Sequence, residues 1–172
     1  MENNKVTIIS TTNARVVVNN PNLRFKRVWE KRNARITIDK EVFQELLYAN
    51  DFRNLIDSGV LYIENMDIKK EVGLEPEEAA EPVNIIVLTE KQQERLLKTA
   101  PFSELKETCE KLHSEQLKEL VSFAIANEIN MDMNKLDYLQ AKTGKDILKA
   151  IQLNRSLRAE EAKKNDSPIS NL

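Results

Sequence analysis

The chain has 172 residues, of which 41% are hydrophobic and 31% are charged, and its formal net charge is −2. It holds no stretch of the roughly 18 apolar residues that a membrane-spanning helix needs, yet its apolar content is high enough for a core. One cysteine excludes a disulfide framework, and one cysteine with one histidine leaves little material for a zinc site. The three glycines lie too far apart for a glycine-rich phosphate loop. We therefore expect a soluble protein of a reducing compartment, with no cofactor and no metal ion.

The charges are distributed unevenly along the chain. Residues 1–40 carry nine basic and three acidic side chains, a net charge of +6, whereas residues 41–82 carry three basic and eleven acidic ones, a net charge of −8. The remaining residues balance. A basic block followed by an acidic block predicts attraction, either within one molecule or head-to-tail between copies. The alternative is that both blocks are solvated faces of one domain.

Short β-branched or aromatic runs, separated by turn-forming clusters, predict strands in the N-terminal part of the chain. These strands are expected over residues 6–9, 16–18, 23–29, 35–38 and 60–63. Between the last two, Asp39 stands where a helix N-cap would, and apolar residues at helical spacing predict one helix over 42–47 and a shorter one over 52–56.

Residues 75–82, Glu-Pro-Glu-Glu-Ala-Ala-Glu-Pro, contain no large apolar side chain and predict an acidic linker. An apolar strand is expected over 83–88, and a capping-box pattern begins at Thr89. The remainder reads as five helices, the fourth of which should stop at Gly144. After Leu157 the apolar face is lost. The chain is thus predicted to be α+β, with a β-rich interaction domain (1–74), a linker (75–82), a strand plus helical bundle (83–158) and a disordered tail (159–172).

Two clusters of reactive side chains are candidates for a metal or catalytic site. Cys109 and His113 are four residues apart on a predicted helix, a spacing that suits a shared metal or a thiolate–imidazole pair. Cys109, however, belongs to an apolar stripe, which favours a buried thiol and a surface histidine. The four glutamates of the linker lack the tight glycine-containing turn of a cation site, which favours a solvated segment.

The most specific local signal is the segment 24–32, in which basic side chains alternate with aromatic ones. Such a pattern can neutralise phosphates and stack bases, which predicts nucleic-acid binding. The same aromatics can also pack a sheet, and the acidic block offers a protein partner for the arginines, which favours a charged protein–protein surface. A third alternative is an ordinary solvent-exposed face. The candidate residues are Arg24, Phe25, Lys26, Arg27, Trp29, Lys31, Arg32 and Arg35.

Seven short phrases point together to a family: KRVWEK at 26–31, IDKEV at 38–42, LLY at 46–48, GVLYI at 59–63, GLEP at 73–76, IIVLT at 85–89 and TGKDI at 143–147. With them the chain resembles small, mostly uncharacterised proteins encoded near the virion-assembly genes of tailed bacteriophages. The resemblance spans most of residues 5–153 and brings no catalytic residue with it. It implies a head-associated or auxiliary part of the virion that is present in many copies.

These observations together lead to the expectation of a non-enzymatic structural or assembly component of a tailed-phage virion. Its partners would be other virion proteins and copies of itself, with no membrane contact. It would be assembled in the host bacterial cytoplasm and located in the virion. The alternative is a nucleic-acid-binding module in phage regulation or genome packaging. A hydrolase or transferase with paired carboxylates is a third reading, but no spacing among the 28 acidic residues singles out a pair.

Overall fold

Alternating β-branched residues near the N-terminus form five strands, and periodic apolar residues form eight α-helices, within residues 4–166, which the computed structural model describes. The predicted α+β class is confirmed. The strands are β1 (Lys5–Ser10), β2 (Val16–Asn20), β3 (Phe25–Trp29), β4 (Arg35–Asp39) and β5 (Leu61–Ile63). The helices are α1 (Lys40–Leu47), α2 (Asn50–Asp57), α3 (Met66–Glu71), α4 (Glu90–Lys98), α5 (Phe102–Lys111), α6 (Ser114–Ala126), α7 (Met133–Thr143) and α8 (Ile147–Asn165).

The chain divides into two compact units. The first contains residues 1–88 and 110–116, and the second contains residues 89–109 and 117–172. All five strands and helices α1 to α3 belong to the first unit, whereas α4, α7 and α8 lie wholly in the second.

Two antiparallel sheets build the first unit. One has the strand order β4–β1–β5, and the other is a two-stranded ribbon of β2 and β3. The indole of Trp29 is fully buried and its Nε1–H donates to the carbonyl oxygen of Ile8 at 3.0 Å, which joins the ribbon to the central strand of the other sheet. Helices α1 and α2 complete the core, where Phe43 and Phe52 meet edge to face with ring centroids 6.1 Å apart.

One predicted strand is central in its sheet, and another is absent. Strand β1, which covers the predicted strand 6–9, pairs with β4 and β5 on its two sides and so offers no free edge to a neighbouring chain. Residues 83–88 form no strand. Their carbonyl oxygens accept hydrogen bonds from side chains instead: Leu88 accepts from Arg32 at 3.1 Å, and Ile86 accepts from Gln116 at 2.6 Å. Helix α3, which begins after the N-cap Asn65, was not predicted because Ile68 is its only buried apolar residue.

The buried side chains of the second unit are mostly leucines and other apolar residues, among them Leu97, Leu105, Leu120 and Leu139. The capping box at Thr89 is confirmed, since Thr89 and Gln92 exchange both of its hydrogen bonds. Lys135 is buried, and its ammonium group donates to the carbonyl oxygens of Leu96 and Leu97 at 3.1 and 3.0 Å near the end of α4. These two carbonyls are among those that a helix end leaves without an intrahelical partner.

The predicted stop of α7 at Gly144 is also confirmed, because this residue adopts the left-handed conformation at φ 69°. Helix α8 extends to Asn165, so residues 159–165 of the predicted tail are helical, and residues 167–172 lie outside the described part. Among residues 4–166, no helix combines the length and the apolar character needed to cross a bilayer.

Replacing Trp29 by phenylalanine should destabilise the first unit by about 1–3 kcal/mol, because the carbonyl of Ile8 loses its buried donor and the smaller ring leaves a void. Urea unfolding followed by circular dichroism measures the change. Tyr48→Phe, at a side chain that is 85% exposed, is the matched control and should alter the free energy of unfolding by less than about 0.5 kcal/mol. Equal stability of Trp29→Phe and the wild type would contradict the role of the indole.

Candidate interaction surface

A tight turn presents the first residue of the basic segment. The side chain of Asn20 accepts the backbone N–H of Leu23 at 3.2 Å, and Pro21 fixes the first position of a single 3₁₀ turn. Arg24 follows in the left-handed conformation at φ 50°, with its N–H bonded to the carbonyl of Pro21 at 3.1 Å. The turn leaves the guanidinium of Arg24 exposed at the start of β3.

The two aromatic candidates of the segment belong to the core. Phe25 is 5% exposed and Trp29 is fully buried, and they face the same side of the ribbon as the buried Val16 and Val18. Arg27 extends over the ring of Phe25, with its guanidinium carbon 5.1 Å from the ring centroid. Neither ring is therefore available to stack on a base, and the exposed part of the segment consists of basic side chains.

Four cations of the basic block already have carboxylate partners. Two pairs lie within the block itself: Lys5 with Asp39 at 2.6 Å, and Arg15 with Glu30 at 3.2 Å. Two others join the basic block to the acidic one, as the charge distribution predicted for a single molecule. In these, Arg35 binds both carboxylate oxygens of Glu64, and Lys40 binds Glu71 at 2.6 Å.

The remaining exposed cations lie on or beside β3, where Lys26 and Arg27 belong to opposite faces of the strand. We call this set of four the basic patch: Arg24, Lys26, Arg27 and Lys31. None of the four has a carboxylate partner within residues 4–166. Lys26 lies on the outer face of the ribbon, where Val17, opposite Val28 in the strand register, is 45% exposed. Arg32 contributes differently, since it is partly buried and bonds the carbonyl of Leu88. The outer face of the ribbon therefore combines the unneutralised charge of Lys26 with the exposed aliphatic side chain of Val17.

The acidic segment is a loop with a fixed base. The Glu75 side chain is buried, and one carboxylate oxygen accepts the backbone N–H groups of Val83 and Asn84, each at 3.0 Å. Its other oxygen accepts the N–H of Ile85 at 3.4 Å, and the side chain of Asn84 returns a hydrogen bond to the carbonyl of Leu74 at 2.8 Å. Hydrogen bonds to a charged acceptor are among the stronger ones in proteins. Glu75 thus joins the two ends of the segment and is not a solvated linker residue. We call its hydrogen bonds to residues 83–85 the clasp.

Residues 76–82, which we call the acidic loop, lie between the two clasped ends. Glu77, Glu78 and Glu81 are exposed and have no cationic partner within the described residues. A hydrogen bond from the N–H of Ala79 to the carbonyl of Pro76 at 3.2 Å folds the loop on itself. Val83, directly after it, is 57% exposed. Compact loops with closed ends of this kind frequently carry function.

A buried lysine beside the clasp was missed by the sequence reasoning. Lys69 is 3% exposed, its ammonium donates to the hydroxyl of Tyr62 at 3.3 Å, and it lies 4.7 Å from the centroid of that ring. Burial lowers the pKa of Lys69, opposed by the charge of Glu75, and burial together with Glu64 and Glu75 raises the pKa of Tyr62. The carbonyl of Lys69 also accepts the N–H groups of Leu74 and Glu75, so the backbone of Lys69 helps to fix the position of Glu75.

The remaining candidates are structural in character. Cys109 is buried, and burial raises the pKa of its thiol to about 11, with Lys142 acting in the opposite direction. His113 is exposed, and its backbone N–H donates to the side chain of Gln116. No group of three potential ligands that could hold a metal ion exists among residues 4–166. A surface groove of about 210 Å³ in the second unit is lined by Glu90, Lys91, Glu94, Phe123, Asn127 and Ile129.

Glu75→Gln should lower the free energy of unfolding by about 1–3 kcal/mol, because the amide nitrogen of glutamine cannot accept hydrogen bonds from backbone N–H groups. Hydrogen exchange at Val83, Asn84 and Ile85 should accelerate at the same time. Glu77→Gln removes the same charge from an exposed position and should leave both measurements within error of the wild type. If the two variants behave alike, the clasp is not the source of order in this segment.

Cys109 predicts a pH dependence of stability. Its pKa is 9.0 in the unfolded chain and about 11 in the folded one, so the thiol stabilises the fold fully below pH 9 and loses this contribution as the pH rises to 11. The loss should reach up to about 3 kcal/mol. Urea unfolding of the wild type and of Cys109→Ala over this range measures it as the change in the difference between their stabilities. A constant difference would contradict the prediction.

Comparison with known proteins leaves the surfaces described above as the guide to function. The chain matches no family model, no curated protein and no solved structure.

Proposed function

We propose that the protein is a non-enzymatic structural or assembly component of a tailed-phage virion that acts through protein–protein contacts. The observation that carries this proposal is the basic patch, four exposed cations without a carboxylate partner in residues 4–166. Charged side chains without partners are available to a second protein, and arginine binds carboxylates through two parallel hydrogen bonds, as Arg35 does with Glu64.

Two observations favour a protein partner over nucleic acid. The aromatic rings next to the patch are buried, which removes the platforms on which single-stranded bases stack. The net charge is −2 and the isoelectric point is about 5.7, so the field of the whole chain does not attract a polyanion. Neither the burial of the aromatic rings nor the net charge of the chain argues against binding of a protein surface that carries carboxylates.

The kind of assembly is suggested by the phrases that resemble virion-associated phage proteins. A virion protein is held by many copies of one contact, so a modest contact is sufficient. The partners would be other virion proteins and copies of this chain, and the protein would be part of the particle after assembly in the host bacterial cytoplasm. The alternative function, binding of nucleic acid in regulation or packaging, is favoured by one feature, the purely basic character of the exposed patch.

Mass spectrometry of density-purified particles from the phage that encodes the chain tests the proposal. We expect the protein to be present in many copies per particle and to resist a salt wash that removes adsorbed host proteins. Absence from the particles would refute a role in the virion, whatever the oligomeric state of the purified protein.

Neutralising the basic patch should reduce incorporation into particles. The variant with Arg24, Lys26, Arg27 and Lys31 each changed to glutamine is compared with a control in which Lys106, Lys111, Lys145 and Lys149 are changed in the same way. The control lysines are exposed and lie outside the patch. We expect at least a roughly tenfold loss for the patch variant, which corresponds to about 1.4 kcal/mol. A salt-sensitive mobility shift of DNA or RNA that only the patch variant loses would favour the alternative function.

A further inference from the structure

The first unit carries two exposed surfaces of opposite charge that do not neutralise each other. The basic patch has four cations and the acidic loop has three carboxylates, and none of the seven forms an ion pair within residues 4–166. From these two sets of unpaired charges we infer that the acidic loop of one copy of the chain docks on the basic patch of the next copy, head to tail. This inference rests on the proposed function and identifies the protein partner as a second copy of the chain.

The loop is suited to be the occupant because it is ordered before it binds. The clasp of Glu75 with Val83, Asn84 and Ile85 fixes both of its ends. A segment that is already held in its bound shape loses less conformational entropy on docking, which leaves more of the contact energy for affinity. Three carboxylates on a short fixed loop therefore act as one preorganised anionic surface toward the patch.

Each surface also offers an exposed aliphatic side chain. Val17 lies on the outer face of the ribbon beside the patch, and Val83 follows the acidic loop; they are 45% and 57% exposed. The only other exposed large hydrophobic side chain in the described residues of this unit is Tyr48. A contact between the two valines would add apolar burial to the charge pairs, which gives the interface the composition of a small polar one.

The contact is between copies because the pairs formed within one molecule use other residues. Arg35 and Lys40 take Glu64 and Glu71, and these pairs already join the basic block to the acidic block inside the unit. The cations of the basic patch and the carboxylates of the acidic loop take no part in these pairs. A contact between two different surfaces of the same chain is heterologous, so each copy both offers a loop and accepts one, and the copies form a ring or an open row.

Exposed ion pairs are individually weak and are screened by salt. The association should therefore depend on concentration and be reversible at moderate ionic strength. Sedimentation velocity of the full chain at about 0.02 M and about 0.5 M salt should show a weight-average mass that rises with concentration only at low salt, from the 19.8 kDa of the monomer.

Charge reversal identifies the two surfaces. One variant has Arg24, Lys26, Arg27 and Lys31 changed to glutamate, and the other has Glu77, Glu78 and Glu81 changed to lysine. Each alone places like charges on both surfaces and should remain monomeric at low salt. An equimolar mixture places opposite charges on facing surfaces again and should recover the wild-type association. A control with Glu107, Glu110 and Glu160 changed to lysine alters the net charge as the loop variant does, and it should associate as the wild type does.

Several results would overturn the inference. These are a wild type that stays monomeric at low salt, a reversal variant that still associates alone, or a mixture that does not associate. Mobility shifts are also measured with a DNA duplex and a DNA single strand. If the patch reversal alone abolishes these shifts, and the equimolar mixture of the two variants does not recover association, the patch binds nucleic acid instead. Circular dichroism checks that each variant folds, and glutamine substitutions at the same positions replace a reversal that does not. Glutamine variants cannot be rescued by mixing, so for them loss of wild-type association is the supporting result and its retention the opposing one.

The failure of this inference differs from the failure of the proposed function. A monomeric protein that is nevertheless present in purified particles removes only the head-to-tail contact. A self-associating protein that is absent from particles removes only the role in the virion.

Discussion

The buried carboxylate of Glu75 is the constraint on which the acidic loop and the residues directly after it depend. A buried charge is costly unless it is hydrogen-bonded, and this one accepts three consecutive backbone N–H groups from residues 83–85. The backbone of residues 83–85 therefore lies beside Glu75, and the acidic loop between them is exposed. The residues that follow also have fixed partners, since Gln116 donates to the carbonyl oxygen of Ile86 and Arg32 to that of Leu88.

The charge distribution follows from this arrangement. Within the described residues, two close ion pairs join the basic block to the acidic block, Arg35 with Glu64 and Lys40 with Glu71. The exposed carboxylates of the acidic loop pair with none of the four cations of the basic patch in that part of the chain. The near-zero net charge of the chain thus conceals two exposed surfaces of opposite sign, each without an internal partner in the described residues.

The periodic parts of the fold could be predicted from the sequence, whereas the candidate surface could be predicted only in part. Apolar spacing located most strands and helices, and the side-chain chemistry of Thr89 and Gly144 located a helix start and a helix end. Residues 83–88 have the composition of a strand, but their hydrogen bonds go to side chains distant in sequence, which local spacing cannot reveal. Glu75 has the same side chain as Glu77 and Glu78, and only the tertiary fold distinguishes a buried clasp from exposed charges.

The lack of ion pairs between the two surfaces, within residues 4–166, bears on how copies of the chain could assemble. If the basic patch and the acidic loop formed ion pairs inside one molecule, neither surface would have unpaired charge to attract a second copy of the chain. Since neither surface has an ion-pair partner within residues 4–166, the proposed head-to-tail contact would leave one free loop and one free patch at the ends of an open row, and every added copy would present the same pair again. In an open row each added copy would form one further contact of the same affinity, whereas closure into a ring would give every copy two contacts and strengthen the assembly. A chain with few reactive side chains and almost no net charge can thereby serve as a repeating part.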